Sequence, residues 1–398
     1  MTQEEKRQRL REKRHRAREL REIARGPIDL PFLVLVLMLT VIGLIMLFSA
    51  SFPSALNQYN DAAYYVRRQA VFAAAGVAAM LAMSKVNYQR LRGFATIALI
   101  GSMVLLALVL VPGLGYSEGG ATRWLQLFIV AGPTYQPSEL AKLGIILYFA
   151  ATISQRKEKM RSFRYGILPY LCILAVYAFL MLKEPHMSGC ILLLGIGAVM
   201  MVVGGMHWGW VAAGAGLAGA GAYMVLFTDL MERIGYNSSR IKTWLDPWWD
   251  VQHESWQMAQ SLIAIGSGGL LGVGLGKGRQ KFMFLPEEHN DFIFAVVCEE
   301  LGYIGAGIIL ILFALLVIRG YWIAIHARDR FGALLAVGVT TQIGLQTFLN
   351  VAVVTGLIPA TGIALPFFSY GGTALLIQLF EVGIVLSVSR QMPAPKAG

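Results

Sequence analysis

Ten apolar runs, each about the length needed to cross a bilayer, punctuate this 398-residue chain. They begin near Leu30, Ala70, Phe94, Leu140, Tyr165, Gly189, Trp208, Phe292, Gly332 and Thr373. A hydrocarbon core of roughly 30 Å is spanned by about 20 apolar residues in a helix. Inside lipid, the helix is the simplest way for one segment to satisfy all its own backbone hydrogen bonds. The runs therefore predict an all-α, polytopic integral membrane protein with about ten transmembrane helices and a large extracytoplasmic loop. A hydrophobic content of 56% agrees with this and sets the chain apart from soluble domains. The first run does not read as a cleaved signal, because the basic segment before it is too long.

The net charge of +11 would suit a nucleic-acid binder, but its distribution points elsewhere. Basic residues gather in the tail 1–29 and in the loops 85–92, 155–164 and 319–330. If the helices alternate from an internal N-terminus, all of these fall on the cytoplasmic side, as the positive-inside rule requires. No nucleic-acid partner is expected. The organisation read from this is a basic cytoplasmic tail (1–29), a transmembrane domain (30–390) and a short cytoplasmic C-terminal tail (391–398). Cys172, Cys190 and Cys298 lie in apolar runs without metal-ligand spacing and read as small core residues.

The segments expected outside are 53–66, 112–137, 183–188, 228–291 and 355–370. The fourth is too long for a plain connector. Within it, Ser255–Gly266 has helical periodicity. Trp256, Met258, Ala259, Leu262, Ile263 and Ile265 fall on one half of the wheel, and Gln257, Gln260 and Ser261 on the other. That pattern suits a helix on the membrane surface or capping a groove. A glycine-rich stretch follows, ending Gly276-Lys277-Gly278-Arg279. It is not a nucleotide loop, because Leu271 and Gly278 stand where that motif needs glycine and Ser or Thr. Flexible backbone beside Lys277 and Arg279 could still cradle an anion such as a pyrophosphate, or simply serve as a supple loop.

Charged groups kept next to a membrane are expensive and are the natural place to look for function. Asp291 stands where the large loop becomes a helix, so an N-cap role that keeps it ionised is one reading. Glu287, Glu288 and His289 crowd the same turn. Repulsion among these carboxylates would favour a bound cation or raise one pKa, and either suits a catalytic base. Glu299 and Glu300 lie roughly 12 Å deeper at about 1.5 Å per residue and need a partner or a wet cavity. A second cluster puts Glu139 and Lys142 on one helix face after Pro137. This is either a self-neutralising pair or a cation held ready for an anionic head group. Arg123 beside Trp124 marks a third polar point, and Glu184 to His186 reads as a tight polar turn.

Several of these stretches occur together and in order: residues 120–125, 136–142, the Glu184-Pro185 turn running to Gly189, 260–276, 285–302 and 361–376. In this the chain resembles the SEDS family of bacterial cell-wall proteins (FtsW, RodA and SpoVE) over roughly residues 30–390. The resemblance implies a peptidoglycan glycosyltransferase in the bacterial cytoplasmic membrane, multi-pass, with both termini cytoplasmic. It would polymerise lipid II into glycan strands on the outer face. The family's catalytic aspartate falls on Asp291 and its membrane lysine on Lys142. The extended basic tail looks more like the division or sporulation branches than the elongation branch. Relatives commonly carry Asp in the turn where this chain has His186.

On that resemblance, Asp291 is the expected general base and polyprenyl pyrophosphate the leaving group, with inversion at the sugar. Substrate contacts are expected from Lys142, Arg123, Glu139, Lys277, Arg279, Glu288 and His289. A divalent cation (Mg²⁺ or Mn²⁺) is the expected cofactor, with Asp291, Glu287 and Glu288 as candidate ligands. Expected partners are lipid II, a polyprenyl-linked glycan, a class B penicillin-binding protein and other divisome or sporulation membrane proteins. A lipid II flippase and a noncatalytic scaffold for a cell-wall transpeptidase are the alternatives. Charges deep in the membrane would favour transport, and a base at the outer mouth would favour polymerisation.

Overall fold

The computed structural model describes residues 26–118, 121–126, 134–156, 158–184, 186–227 and 239–392. The basic tail before residue 26, the first part of the large loop and the end of the chain lie outside these residues. Helices dominate: α1 (Leu30–Tyr59), α2 (Tyr64–Lys85), α3 (Leu91–Val109), α4 (Pro137–Ile153), α5 (Leu168–Lys183), α6 (Met187–Val203) and α7 (Trp208–Phe227) come first. Then follow the loop helices α8 (Ser239–Leu245) and α9 (Trp256–Gly268), and α10 (Ile293–Ile325), α11 (Arg330–Val354) and α12 (Gly372–Ser389). Each expected run thus has its helix. Among the described residues, seven are long and apolar enough to cross a membrane, whereas α4 and α6 stop at 17 residues.

Most of the expected outside segment 53–66 is helical: α1 runs through Pro53 to Tyr59, and only Asn60–Ala63 separates it from α2. The segment 112–137 holds a small antiparallel sheet of β1 (Gly115–Glu118), β2 (Ala121–Gln126) and β3 (Thr134–Tyr135) beside the all-helical bundle. β2 pairs with both neighbours, Leu125 facing Gly115 on one side and Tyr135 on the other.

The helices α11 and α12 form the centre. In each, 72% of the apolar window is buried, against 28–39% in the other full-length spans. The remaining helices turn apolar side chains outward, as a lipid solvent demands. One end of the bundle is stitched by polar contacts between distant segments. Asp29 caps α1 and pairs with Arg319 at 2.8 Å, while Asp329 caps α11 and accepts a bond from the Tyr88 hydroxyl at 2.7 Å. The basic loops, 85–92 and 319–330 among them, gather at this end.

The glycine-rich loop has a structural task. α10 breaks at Gly302, whose φ of 68° lies in the left-handed region that favours glycine. The amides of Tyr303 and Ile304 just beyond the break bond to the carbonyls of Gly269 and Leu270, while Val273 and Gly274 donate back to Glu299 and Glu300. A Cβ on Gly302 would strike the Gly272 amide. The loop repairs a broken helix.

Candidate active site

At the opposite end, the short turn carrying Asp291 is zipped to the 355–371 connection. Glu287 sits at φ 56° and its carbonyl accepts bonds from the amides of Asn290 and Phe292, which closes the turn. Tyr370 donates its amide to the His289 carbonyl, and the Ser369 hydroxyl donates to the Asn290 carbonyl. Gly362, at φ 67°, lies over the carboxylate, so that a Cβ there would come within 2.9 Å of Asp291 Oδ2. A side chain at 362 would press on that carboxylate.

The floor comes from α11. Gln342, Gln346 and Asn350 recur every four residues and so share one face of this central helix. All three are buried. Asn350 donates to the backbone carbonyls of Asp291 (2.7 Å) and Ile363 (2.5 Å), which pins both segments. Gln346 donates to the Ala364 carbonyl at 2.9 Å and accepts from Lys142 Nζ at 3.3 Å. Gln342 donates to Glu381 of α12 at 2.6 Å. Lys142 is 3% exposed and ion-paired with Glu139 at 2.8 Å. The pair neutralises itself, and through Gln346 the lysine is also linked to the loop beside Asp291.

Arg123 reaches the site from β2. It is half-buried and stands where the pairing of β2 with β1 shifts register, opposite Tyr116 and Ser117. Its charge acts on both Asp291 and Glu184, and Arg240 of α8 lies close enough to repel it. Asp291 is partly exposed and does not cap α10. The cap position belongs to Phe292, which makes no side-chain capping bond. The expected N-cap that keeps the acid ionised is therefore corrected. Burial, then Glu287, raise the Asp291 carboxyl to about 6, and Arg123 and His289 offset only part of this. A carboxyl poised there is a base that holds a proton only loosely at neutral pH.

The other expected residues part company. Glu288 is buried and accepts a bond from Ser54, with His289 Nδ1 at 3.4 Å. His289 packs against the rings of Tyr65 and Tyr370. Glu287 is exposed and accepts from Asn290 at 2.6 Å. The three candidate cation ligands thus point to three different partners. Among the described residues no group of three His, Cys, Asp or Glu side chains gathers. These three carboxylates, as placed, do not form a metal cage with one another.

The glycine-rich loop does cradle an anion, but the anion belongs to the chain. Glu299 accepts from the amides of Arg279 (2.7 Å) and Gln280, and Glu300 from the amide of Gly276 (3.0 Å). Lys281, fully buried, completes the charge balance at 2.6 Å from Glu300 and also donates to Ser49. The side chains of Lys277 and Arg279 are exposed around this closed cradle. Replacing Lys281 with Met would strand a buried carboxylate and should destabilise the protein by about 3–5 kcal/mol. Adding Glu300→Gln should recover part of that loss in thermal unfolding.

The α9 wheel is also corrected. Met258, Ala259, Gln260, Ser261 and Ala264 face the protein, Ser261 donates to the Val354 carbonyl at 2.8 Å, and Ile263 is turned out. The polar turn that holds Glu184 and His186 is itself buried, Glu184 being 1% and His186 7% exposed.

The comparisons agree with this architecture. Residues 30–393 match the FtsW/RodA/SpoVE family, described as cell cycle proteins. The probable peptidoglycan glycosyltransferase FtsW of Geobacter metallireducens is 40% identical over 364 residues, covering 92% of this chain and 95% of the relative. Stage V sporulation protein E of Bacillus subtilis is 40% identical over 365 residues, covering 91% and 97%. A chain of a peptidoglycan synthase complex that coordinates polymerization and crosslinking superposes with a TM-score of 0.74 at 28% identity, covering 91% of this chain and 98% of its own. The rod shape determining protein RodA of Thermus thermophilus gives 0.66 at 27% identity, covering 92% and 98%. By the extent of these matches and by the fold, the chain belongs to the FtsW/RodA/SpoVE family of membrane proteins.

Proposed function

We propose that this protein is a peptidoglycan glycosyltransferase that polymerises lipid II into glycan strands at the outer face of the bacterial cytoplasmic membrane. The observation that carries the reading is Asp291: partly exposed at the bundle end opposite the basic loops, raised toward neutrality, and facing Arg123. Asp291 takes the proton of the acceptor sugar hydroxyl as the new bond to the anomeric carbon forms. The bond from that carbon to the pyrophosphate breaks, and its electron pair leaves with the phosphate. Attack from the far side inverts the centre. Pyrophosphate departs without the general acid that glycosidases need, so what it requires is positive charge. Arg123, Arg240 and Lys142 supply it from three elements, and Lys277 and Arg279 contribute at longer range.

A divalent cation, the proposed cofactor, would add charge neutralisation. With Asp291, Glu287 and Glu288 forming no cage with one another, it would enter on the pyrophosphate, as Mg²⁺ commonly does. A class B penicillin-binding protein is the proposed partner, supported by the likeness to a synthase complex, together with other division or sporulation membrane proteins. Both termini and the basic loops face the cytoplasm in this reading.

The flippase alternative needs a polar path through to the other end. That end is closed by Asp29–Arg319, by Tyr88–Asp329 and by the bond from Arg390 to the Gly26 carbonyl. The test is the full chain with its transpeptidase partner in liposomes carrying lipid II. Polymer is expected. Lipid movement between leaflets without polymer would support the flippase, and neither activity, with crosslinking by the partner still dependent on this protein, would support the scaffold.

A further inference from the structure

The turn between α5 and α6 carries polar atoms that the protein leaves unsatisfied. Glu184 Oε1, His186 Nδ1, Ser188 Oγ and Ser138 Oγ have no hydrogen-bond partner, and their side chains are 1%, 7%, 2% and 3% exposed. Each such atom costs about 1–3 kcal/mol when nothing replaces water. Four on adjoining segments is more than a core tolerates without an occupant.

They converge. α4 packs on α6 and touches β2. Ser138 and Lys142 stand one turn apart on the same face of α4, and the charge of Lys142 acts on His186. The charge of Arg123 acts on His186, Glu184 and Asp291 alike. The imidazole lies over Gly189, where a Cβ would come within 2.8 Å of Cε1, so a glycine leaves the ring its place.

The cluster is also uncharged at neutral pH. Burial pushes Glu184 up to about 8, and Arg123 draws it only part of the way back. Burial, with Arg123 and Lys142, pushes His186 down to about 3. A protonated acid, a neutral imidazole and two hydroxyls offer both donors and acceptors and no net charge. Two cations flank them. Such a lining matches hydroxyl and acetamido groups, while its neighbours match phosphate.

We propose that Ser138, Glu184, His186 and Ser188 form a hydrogen-bonding subsite for the sugar of a pyrophosphate-linked glycolipid, with Arg123 and Lys142 holding its phosphates. The proposal deepens the glycosyltransferase reading and rests on it for the identity of the substrate. The subsite gives the enzyme a way to distinguish a loaded lipid carrier from a bare one. A group built to pair hydroxyls rejects a ligand lacking them, because its own polar atoms are then left unmatched.

The experiment compares the binding of lipid II and of polyprenyl pyrophosphate, which has the phosphates but no sugar, to the full chain in nanodiscs. The variants are Ser138→Ala/Ser188→Ala and, separately, His186→Phe. For the serine pair, loss of two hydrogen bonds should weaken lipid II about tenfold or more and leave polyprenyl pyrophosphate unchanged. The ligand-free melting temperature should hold or rise, since two orphaned hydroxyls are gone. Unchanged affinity for lipid II in both variants would mean that the pocket holds water only, and would overturn the proposal. Equal weakening of both ligands, or a lower melting temperature in the serine pair, would make the cluster structural and overturn it too. Because the readout is binding, wild-type protein that binds lipid II but makes no polymer would sink the glycosyltransferase reading and leave the subsite standing.

Discussion

Replacing Asp291 with Asn should lower the rate of glycan polymerisation by about 10²–10⁴-fold, the usual contribution of a positioned general base. Asparagine keeps the shape of the side chain and loses only the ability to accept a proton. The fold should not suffer, because Asp291 is held through its backbone carbonyl by Asn350, and its side chain caps no helix. Removing the negative charge beside Glu287 also relieves repulsion. The melting temperature should therefore stay level or rise while activity collapses. A Gly362→Ala change should also lower activity by crowding Oδ2, but with a lower melting temperature, because it strains a backbone at φ 67°. Polymerisation by the Asn variant at the wild-type rate would remove Asp291 from the chemistry.

Lys142→Met should have the second large effect, and it acts on two properties at once. Lys142 and Glu139 are both largely buried and lie 2.8 Å apart. Taking the cation away leaves a carboxylate without its partner, at a cost of about 3–5 kcal/mol. It also removes positive charge from the leaving-group side, worth about 10²–10³-fold in rate by analogy with a lost oxyanion donor. The double change Lys142→Met with Glu139→Gln separates the two. It should restore most of the stability in thermal unfolding and none of the activity. Recovery of activity along with stability would show that the pair is a structural element and nothing more.

The sequence was legible where the signal is local. Runs long enough to cross a bilayer placed every long helix, and the i,i+3 spacing of Glu139 and Lys142 foretold their pairing. Position at a loop-to-helix junction picked out Asp291, although its supposed cap was wrong. The misses share a physical cause. The wheel of α9 was divided into an apolar and a polar half, whereas the buried face mixes Met258 and Ala259 with Gln260, Ser261 and Ala264, and Ile263 turns out. In lipid, polar groups seek the protein interior. The same rule would have exposed the stripe Gln342, Gln346 and Asn350, whose four-residue spacing stands in plain view. Arg240, Lys281 and Glu381 carried no such pattern. Their roles arise from contacts with partners distant along the chain, as Lys281 shows by reaching Ser49. The glycine-rich loop was read as a cradle for an anion such as a pyrophosphate, whereas its amides are taken up by Glu299 and Glu300, which only the tertiary fold brings there.

Asp291 as a base of pKa about 6 has a direct kinetic signature. A base works in its deprotonated form, so activity must fall as pH drops through that value and level off above it. The measurement is kcat/KM for lipid II polymerisation from pH 5 to 8, by the full chain with its partner, in wild type and in Asp291→Glu. In wild type, kcat/KM should fall about tenfold per pH unit below about 6 and be flat above 7, and the break should move in the glutamate variant. A flat profile across that range, or a break that stays put when Asp291 is changed, would contradict a general-base role for this carboxylate.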